Sequence, residues 1–189
     1  LTQKGKEMTA FLAGEDGSKK KLPIACVILI ILDGKGQVLL HHRLKEPFYD
    51  YYGFPSGKME YGETILGTAA RELKEETGLQ AQFSLNAIYN INTFNNNIIA
   101  YHYIHFVMKG IIPEGTLTPK NREGTFEWIP ITELKNYKLF PDNLHKMQGV
   151  LQDTFRVIEM ERSMQDGEFT GSYIKSELFP EQDPKKHNS

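Results

Sequence analysis

Apolar positions along the chain follow two rhythms, a period of two that marks strands and a period near 3.6 that marks helices. Ile24 to Leu32 is an unbroken apolar run rich in β-branched residues, as expected of a buried strand. Asp33-Gly34-Lys35-Gly36 is turn chemistry, and Gln37–His42 resumes the strand pattern, so the two segments predict a hairpin. An aromatic loop, Phe48 to Pro55, follows. Thr64 to Thr77 predicts a helix: Thr64 caps it, Gly78 ends it, and Leu66, Ala69, Ala70, Leu73 and Thr77 share one face. Gln82–Asn92 and Ile98–Met108 predict two strands around Asn95-Asn96-Asn97, whose residues tolerate left-handed turns. Phe126–Ile129 is a short strand before Pro130. Leu144, Met147, Leu151, Phe155 and Ile158 fall at helical spacing, which predicts a last helix from about Asp142 to Met160. Beyond it, Phe169, Tyr173, Ile174, Leu178 and Phe179 add a short strand or arm. Strands flanking helices without regular βαβ alternation predict a mixed sheet with helices against its faces.

Composition narrows the classes of function. The 189 residues suit one domain with appended segments, read as a polar N-terminal segment over 1–22, a domain over 23–161 and a tail or arm over 162–189. Lys plus Arg number 22 against 24 for Asp plus Glu, a net charge of −2. That balance argues against a surface built for long nucleic acids. The single cysteine, Cys26, excludes an internal disulfide framework and a multi-cysteine zinc site, and its apolar neighbours predict a buried, inert thiol. The longest apolar run falls well short of the roughly 20 residues of a spanning helix, so no membrane span and a cytoplasmic location are expected. His102 and His105 fall on opposite faces of one predicted strand, as do the adjacent His41 and His42, so neither couple forms a metal-binding pair.

The stretch Gly57 to Leu79, GKMEYGETILGTAARELKEETGL, carries the chemistry. With Glu72 set at zero and about 100° per residue, Glu75 falls near 300° and Glu76 near 40°, so three carboxylates crowd an arc of roughly 100°. The apolar stripe of Leu66, Ala70, Leu73 and Thr77 is expected near about 130°, turned to a core. Like charges at these spacings repel by about 0.2–0.5 kcal/mol per pair unless neutralised. Cations nearby are few, with Arg71 and Lys74 on the helix flank. Clustered carboxylate oxygens without compensating cations suit a hard divalent metal; the alternative is a solvated acidic face.

These residues resemble the Nudix box, G-x5-E-x7-R-E-U-x-E-E-x-G-U with U a bulky aliphatic residue. Gly57, Glu63, Arg71, Glu72, Leu73, Glu75, Glu76, Gly78 and Leu79 fill every fixed position, a coincidence below roughly 10⁻⁸ per starting position from average residue usage. Just outside the box, Ser56 stands where the family often has a second glycine. The resemblance, looser over about 23–160, implies a Nudix-type α/β/α sandwich around a mixed β-sheet and a hydrolase of nucleoside diphosphates linked to a group X, using Mg²⁺ or Mn²⁺. Carried over by position, it implies Glu72 and Glu76 as metal ligands, Glu75 sharing metal or its waters, and the Gly57 carbonyl as a further ligand. Glu72 is also a candidate general base. Glu63 and Arg71 would hold loop and helix together. Glu123 matches an additional metal-binding acid of members that cleave 8-oxo-dGTP, with Glu127 and Glu114 as fallback candidates.

The identity of X rests on thinner signals. A proline expected about fifteen residues after the box in ADP-ribose-cleaving members is replaced by Thr93, and the tyrosine of dinucleoside-polyphosphate-cleaving members is missing. Phe140-Pro141-Asp142-Asn143 resembles the purine-edge segment of 8-oxo-dGTP diphosphatases, so Asn143 and Asp142 are candidate substrate residues, while a helix-start role is the plainer reading of Asp142. The resemblance therefore implies a MutT-like pyrophosphatase converting a (deoxy)nucleoside triphosphate, including oxidised purine dNTPs, to NMP and pyrophosphate. ADP-ribose or nucleotide-sugar hydrolysis is one alternative, and a non-catalytic nucleotide-sensing module is another, disfavoured because every box acid is kept. The expected partner is a small nucleotide, and the expected assembly a homodimer, as in many members.

Overall fold

The computed structural model describes residues 21–179. Nine strands form one mixed sheet: β1 (Ile24–Leu32), β2 (Gln37–Arg43), β3 (Tyr52–Gly53), β4 (Ser56–Lys58), β5 (Phe83–Asn95), β6 (Ile98–Ile111), β7 (Gly124–Pro130), β8 (Arg156–Gln165) and β9 (Glu168–Leu178). Helix α1 (Ile65–Thr77) follows β4, a 3₁₀ turn (Ile131–Asn136) follows β7, and α2 (Asn143–Gln152) precedes β8. The strand order is β3-β2-β1-β6-β5-β8-β9, with β4 paired to β1 and β7 to β2. The β1–β6 and β5–β8 pairs are parallel and the others antiparallel.

Alternation along β1 splits the core in two, because successive strand side chains point to opposite faces. Val27, Leu29 and Ile31 pack with Ala69 and Leu73 of α1 on one face. Ile28 and Ile30 pack with Met147 and Val150 of α2 and with Leu134 on the other. The sheet is therefore covered on both faces, the α/β architecture expected.

Local chemistry sets the boundaries. The Asp33 carboxylate accepts from the backbone of Lys35 and Gln37 and fixes the β1–β2 turn. Thr64 caps α1 by accepting from the Gly67 backbone, and Gly78 closes it in the left-handed conformation (φ 76°). Asn96 and Asn97, both at positive φ, make the tight β5–β6 turn.

Two expectations are corrected. The last helix does not reach Met160: it stops at Gln152, Asp153 turns left-handed, and residues 156–165 form β8. In β8, Arg156, Ile158, Met160, Arg162 and Met164 are buried in strict alternation, so a period of two overrides the helical spacing of Phe155 and Ile158 once β5 supplies a parallel partner. β9 then adds a further strand through the Asp166-Gly167 turn. The buried face of α1 is also rotated. Leu66 is 56% exposed and Ala70 is exposed, whereas Thr68, Ala69, Leu73 and Thr77 are buried. On the same angular scale Ala69 and Leu73 centre the buried stripe near about 80°, which draws the Glu76 position into it.

Candidate active site

Strand β4 and α1 bring the two ends of the glutamate-rich segment together. β4 pairs with β1, placing Gly57 opposite Val27. A side chain at Gly57 has no room: a Cβ there would lie 1.8 Å from Cδ of Glu72. Glycine thus lets the Glu72 carboxyl lie directly over the β4 backbone. Arg71 ties the segment closed. Its Nε donates to Glu63 Oε1 (2.6 Å), one Nη to Glu63 Oε2 (2.9 Å) and to the Lys58 carbonyl (3.2 Å), and the other to Glu72 Oε1 (2.8 Å) and Glu75 Oε2 (3.4 Å). Glu63 also accepts from the Glu60 backbone and the Thr68 hydroxyl. The Arg71 hydrogen bonds, with these others, hold its carboxyl down to about 2.

Glu76 lies in the opposite electrostatic regime. Burial, then the Glu72 and Glu123 carboxylates, pushes its carboxyl up to about 8. Its Oε2 is buried without a hydrogen-bond partner among the described residues. Burial, set against the Arg71 contact, also raises Glu72. Among the described residues no three carboxylate, imidazole or thiol groups already stand as a metal cage. Even so, an orphaned buried carboxylate oxygen beside two further carboxylates is a hard-oxygen donor set, and it fits a divalent cation.

A cavity of about 370 Å³ opens beside this segment. Ser56, Gly57, Lys58 and Glu123 line one end, and Phe48, Phe54, Tyr103, Phe140 and Asn143 line the walls. Phe48 meets Phe140 edge to face at 5.4 Å and stacks on Phe169 of β9 at 5.2 Å, so the last hairpin supports this wall. Tyr51 and Glu168 lock the same junction through a 2.6 Å hydrogen bond. Glu123 faces Arg43 (3.6 Å) and Lys45 (3.8 Å).

The cavity floor is a buried charge cluster. The Asp142 carboxylate takes Lys146 on one oxygen and Arg162 on the other. Lys146 also bonds His105 Nδ1 at 3.0 Å. Burial works to raise the Asp142 pKa, but Arg162 and Lys146 outweigh it and hold the carboxyl below the usual range. Burial, then Lys146 and Arg162, pushes His105 well below its ordinary value, so it is neutral.

The structure thus gathers Gly57, Glu63, Arg71, Glu72, Glu75 and Glu76 in one segment, and Glu123 and Asn143 on the adjoining cavity. Asn143 is 4% exposed and donates to the Tyr52 carbonyl at 3.4 Å. Asp142 does not reach the cavity as a free group: it is wholly buried, makes no side-chain helix cap, and has both oxygens engaged below the floor. The fallback acids stand apart from the cavity, Glu127 beside Thr125 on β7 and Glu114 in a backbone bridge to Gln80. Lys146, Arg162 and His105 were not legible as site residues. The i, i+4 spacing of Asp142 and Lys146 was a signal for their pairing, but only the sheet brings Arg162 and His105 to it. Cys26 is buried as expected, and burial pushes its thiol up to about 12.

The NUDIX domain family model matches residues 21–148, and the chain belongs to that family. It is 26% identical over 132 residues to an uncharacterised Nudix hydrolase, YvcI, of Bacillus subtilis strain 168, covering 66% of this chain and 82% of that protein. It is 34% identical over 91 residues to the RNA pyrophosphohydrolase of Mesorhizobium japonicum, covering 45% of this chain and 51% of that enzyme. The crystal structure of the mutator MutT protein from Bacillus halodurans superposes with a TM-score of 0.64 at 25% identity, covering 80% of this chain and 97% of that one. The chain is accordingly a Nudix hydrolase of the MutT-like kind, acting on nucleotide diphosphates. Among the described residues no helix is long and apolar enough to cross a membrane.

Proposed function

We propose that this enzyme hydrolyses a nucleoside triphosphate, ribo or deoxy and including oxidised purine forms, to the monophosphate and pyrophosphate. The observation that carries the reading is the cavity lined by Phe48, Phe54, Tyr103 and Phe140, which adjoins the glutamate segment at Gly57 and Lys58. Flat apolar walls suit a base, and an adjoining carboxylate cluster suits the phosphate chain once a cation mediates.

Glu72, Glu75 and Glu76, with the Gly57 carbonyl and Glu123, are the groups that would hold Mg²⁺ or Mn²⁺. When bound, the cation offsets the charge on the diphosphate oxygens during phosphoryl transfer. The chain's own residues supply the rest. Arg71 and Glu63 keep β4 and α1 in register. Water attacks phosphorus in line, the anhydride bond breaks, and the water's proton passes to a carboxylate, with Glu72 placed over Gly57 as the candidate acceptor. Asn143 faces the base, whereas Asp142 acts from beneath by holding Lys146 and Arg162.

The test is a panel scored by kcat/KM at fixed Mg²⁺: dNTPs, oxidised dNTPs, ADP-ribose, nucleotide sugars, dinucleoside polyphosphates and a 5′-triphosphorylated RNA. Triphosphates should give the highest values, with pyrophosphate released. Glu76→Gln should lower kcat by about 10² or more. A higher kcat/KM for ADP-ribose or a nucleotide sugar would replace this reading, and no turnover of any nucleotide with either metal would overturn it.

A further inference from the structure

We propose that Lys146 and Arg162 are the specificity-determining donors of the cavity. They accept a base whose inner edge carries carbonyl oxygens and refuse one that presents an exocyclic amino group. This rests on the nucleotide reading above and goes further, by naming the class of base.

The argument starts from hydrogen-bond inventory. Lysine has three N–H donors and no acceptor; those of Lys146 serve Asp142 and His105 Nδ1, which leaves one. Because His105 Nδ1 must accept from that ammonium, the imidazole proton sits on Nε2, which makes a further donor. Arg162 spends one terminal nitrogen on Asp142, and its other terminal nitrogen has no partner among the described residues. All three side chains line the cavity, while the carboxylate that partners the two cations has both oxygens occupied. The floor thus offers N–H groups and an excess positive charge over the single Asp142. Buried donors and charge of this kind are costly unless an acceptor meets them. An amino group would set donor against donor. Asn143 supplies an acceptor on the wall: with Nδ2 turned to the Tyr52 carbonyl, its Oδ1 is left to accept a ring N–H. Carbonyl acceptor beside ring N–H donor is the edge of a 6-oxopurine. Arg162 lies on β8, beyond the 21–148 segment that matches the family, so this donor is supplied by the added hairpin.

A cluster that merely glues α2 to β8 would contain the same ion pairs, so the test must read selectivity. The probes are the deoxyinosine and deoxyadenosine triphosphates, which differ at the six position and at N1. The ratio of their kcat/KM values is independent of how much enzyme is folded. In the unaltered protein the deoxyinosine substrate should be favoured at least about tenfold. The ratio should fall close to one in Arg162→Met and Lys146→Met, and in the charge-balanced Asp142→Asn/Arg162→Met pair if the single variants fail to fold. A ratio near one in the unaltered protein, or one unchanged in the variants, overturns the proposal. Calorimetric binding of the two deoxynucleoside monophosphates separates the two readings. If neither triphosphate is hydrolysed, the triphosphate reading fails. A dIMP preference that is lost in Arg162→Met then still supports the donor floor, and no preference overturns it.

Discussion

Replacing Gly57 by alanine adds one methyl group at the point where the site is tightest. The φ of Gly57 is not in the left-handed region, so alanine fits the backbone and the effect is steric. The new Cβ would lie 1.8 Å from Cδ, 2.0 Å from Oε1 and 2.3 Å from Cγ of Glu72. Ordinary carbon contacts begin near about 3.5 Å, so the carboxyl must retreat by roughly 1.5 Å. That breaks the 2.8 Å Arg71–Glu72 hydrogen bond and takes the carboxylate off the β4 backbone. A misplacement of about 1 Å at a reacting centre costs about 10² in rate. We therefore expect kcat to fall by about 10² with KM changed less, because the aromatic lining of the cavity is untouched, and a stability loss of about 1–3 kcal/mol. Steady-state kinetics with pyrophosphate detection and urea unfolding measure the two. A cycle with Glu72→Ala sharpens the test: if the methyl acts only through Glu72, adding Gly57→Ala to that variant costs nothing more. A kcat within about threefold of the parent, or losses that add in the cycle, would refute the steric argument.

Other expectations concern charge, pH and metal. Asp142→Asn leaves Lys146 and Arg162 facing each other in the interior, and denaturant unfolding should show a loss of about 3–5 kcal/mol. His41 is stacked on Phe126, and burial, then Arg43, lowers its pKa to about 4. A depressed histidine pKa means that the unfolded chain binds the proton first, so this contribution is complete above about 6.5 and is lost as pH falls toward 4. The loss is about 2 kcal/mol by pH 5, and His41→Gln should flatten the stability profile over that window. Chelator should abolish turnover while Mg²⁺ or Mn²⁺ restores it, with a higher unfolding midpoint when metal is present. A fully active chelated enzyme would contradict the assignment of the glutamates.

Local rules carried much of this molecule. The β1–β2 turn, the Thr64 and Gly78 ends of α1 and the Asn96-Asn97 turn each follow from a few adjacent residues, because caps and turns are satisfied within the segment that forms them. The glutamate segment was legible for the same reason: its residues lie within one turn-and-helix unit, where spacing alone puts the acids on one arc. The end of α2 was not legible. Residues 155–160 satisfy both a helical and an alternating pattern, and a short apolar stretch takes the structure its neighbours can bury. The Asp166-Gly167 turn was the available sign that strands surround it.

The sequence by itself determined the enzyme class and singled out its candidate acids, since both depend on residue identity at fixed short separations. It could not determine how far α1 rolls about its axis. Packing against β1 decides that, and it buries the Glu76 carboxylate where spacing alone had left it on an exposed arc. Nor could it place the floor of the cavity. Asp142, just before α2, Lys146 of α2, His105 of β6 and Arg162 of β8 meet only because β8 pairs in parallel with β5 beneath the helix. Burying those charges is tolerable only when they find one another. That pairing is a property of the assembled sheet, and no single segment of the chain carries it.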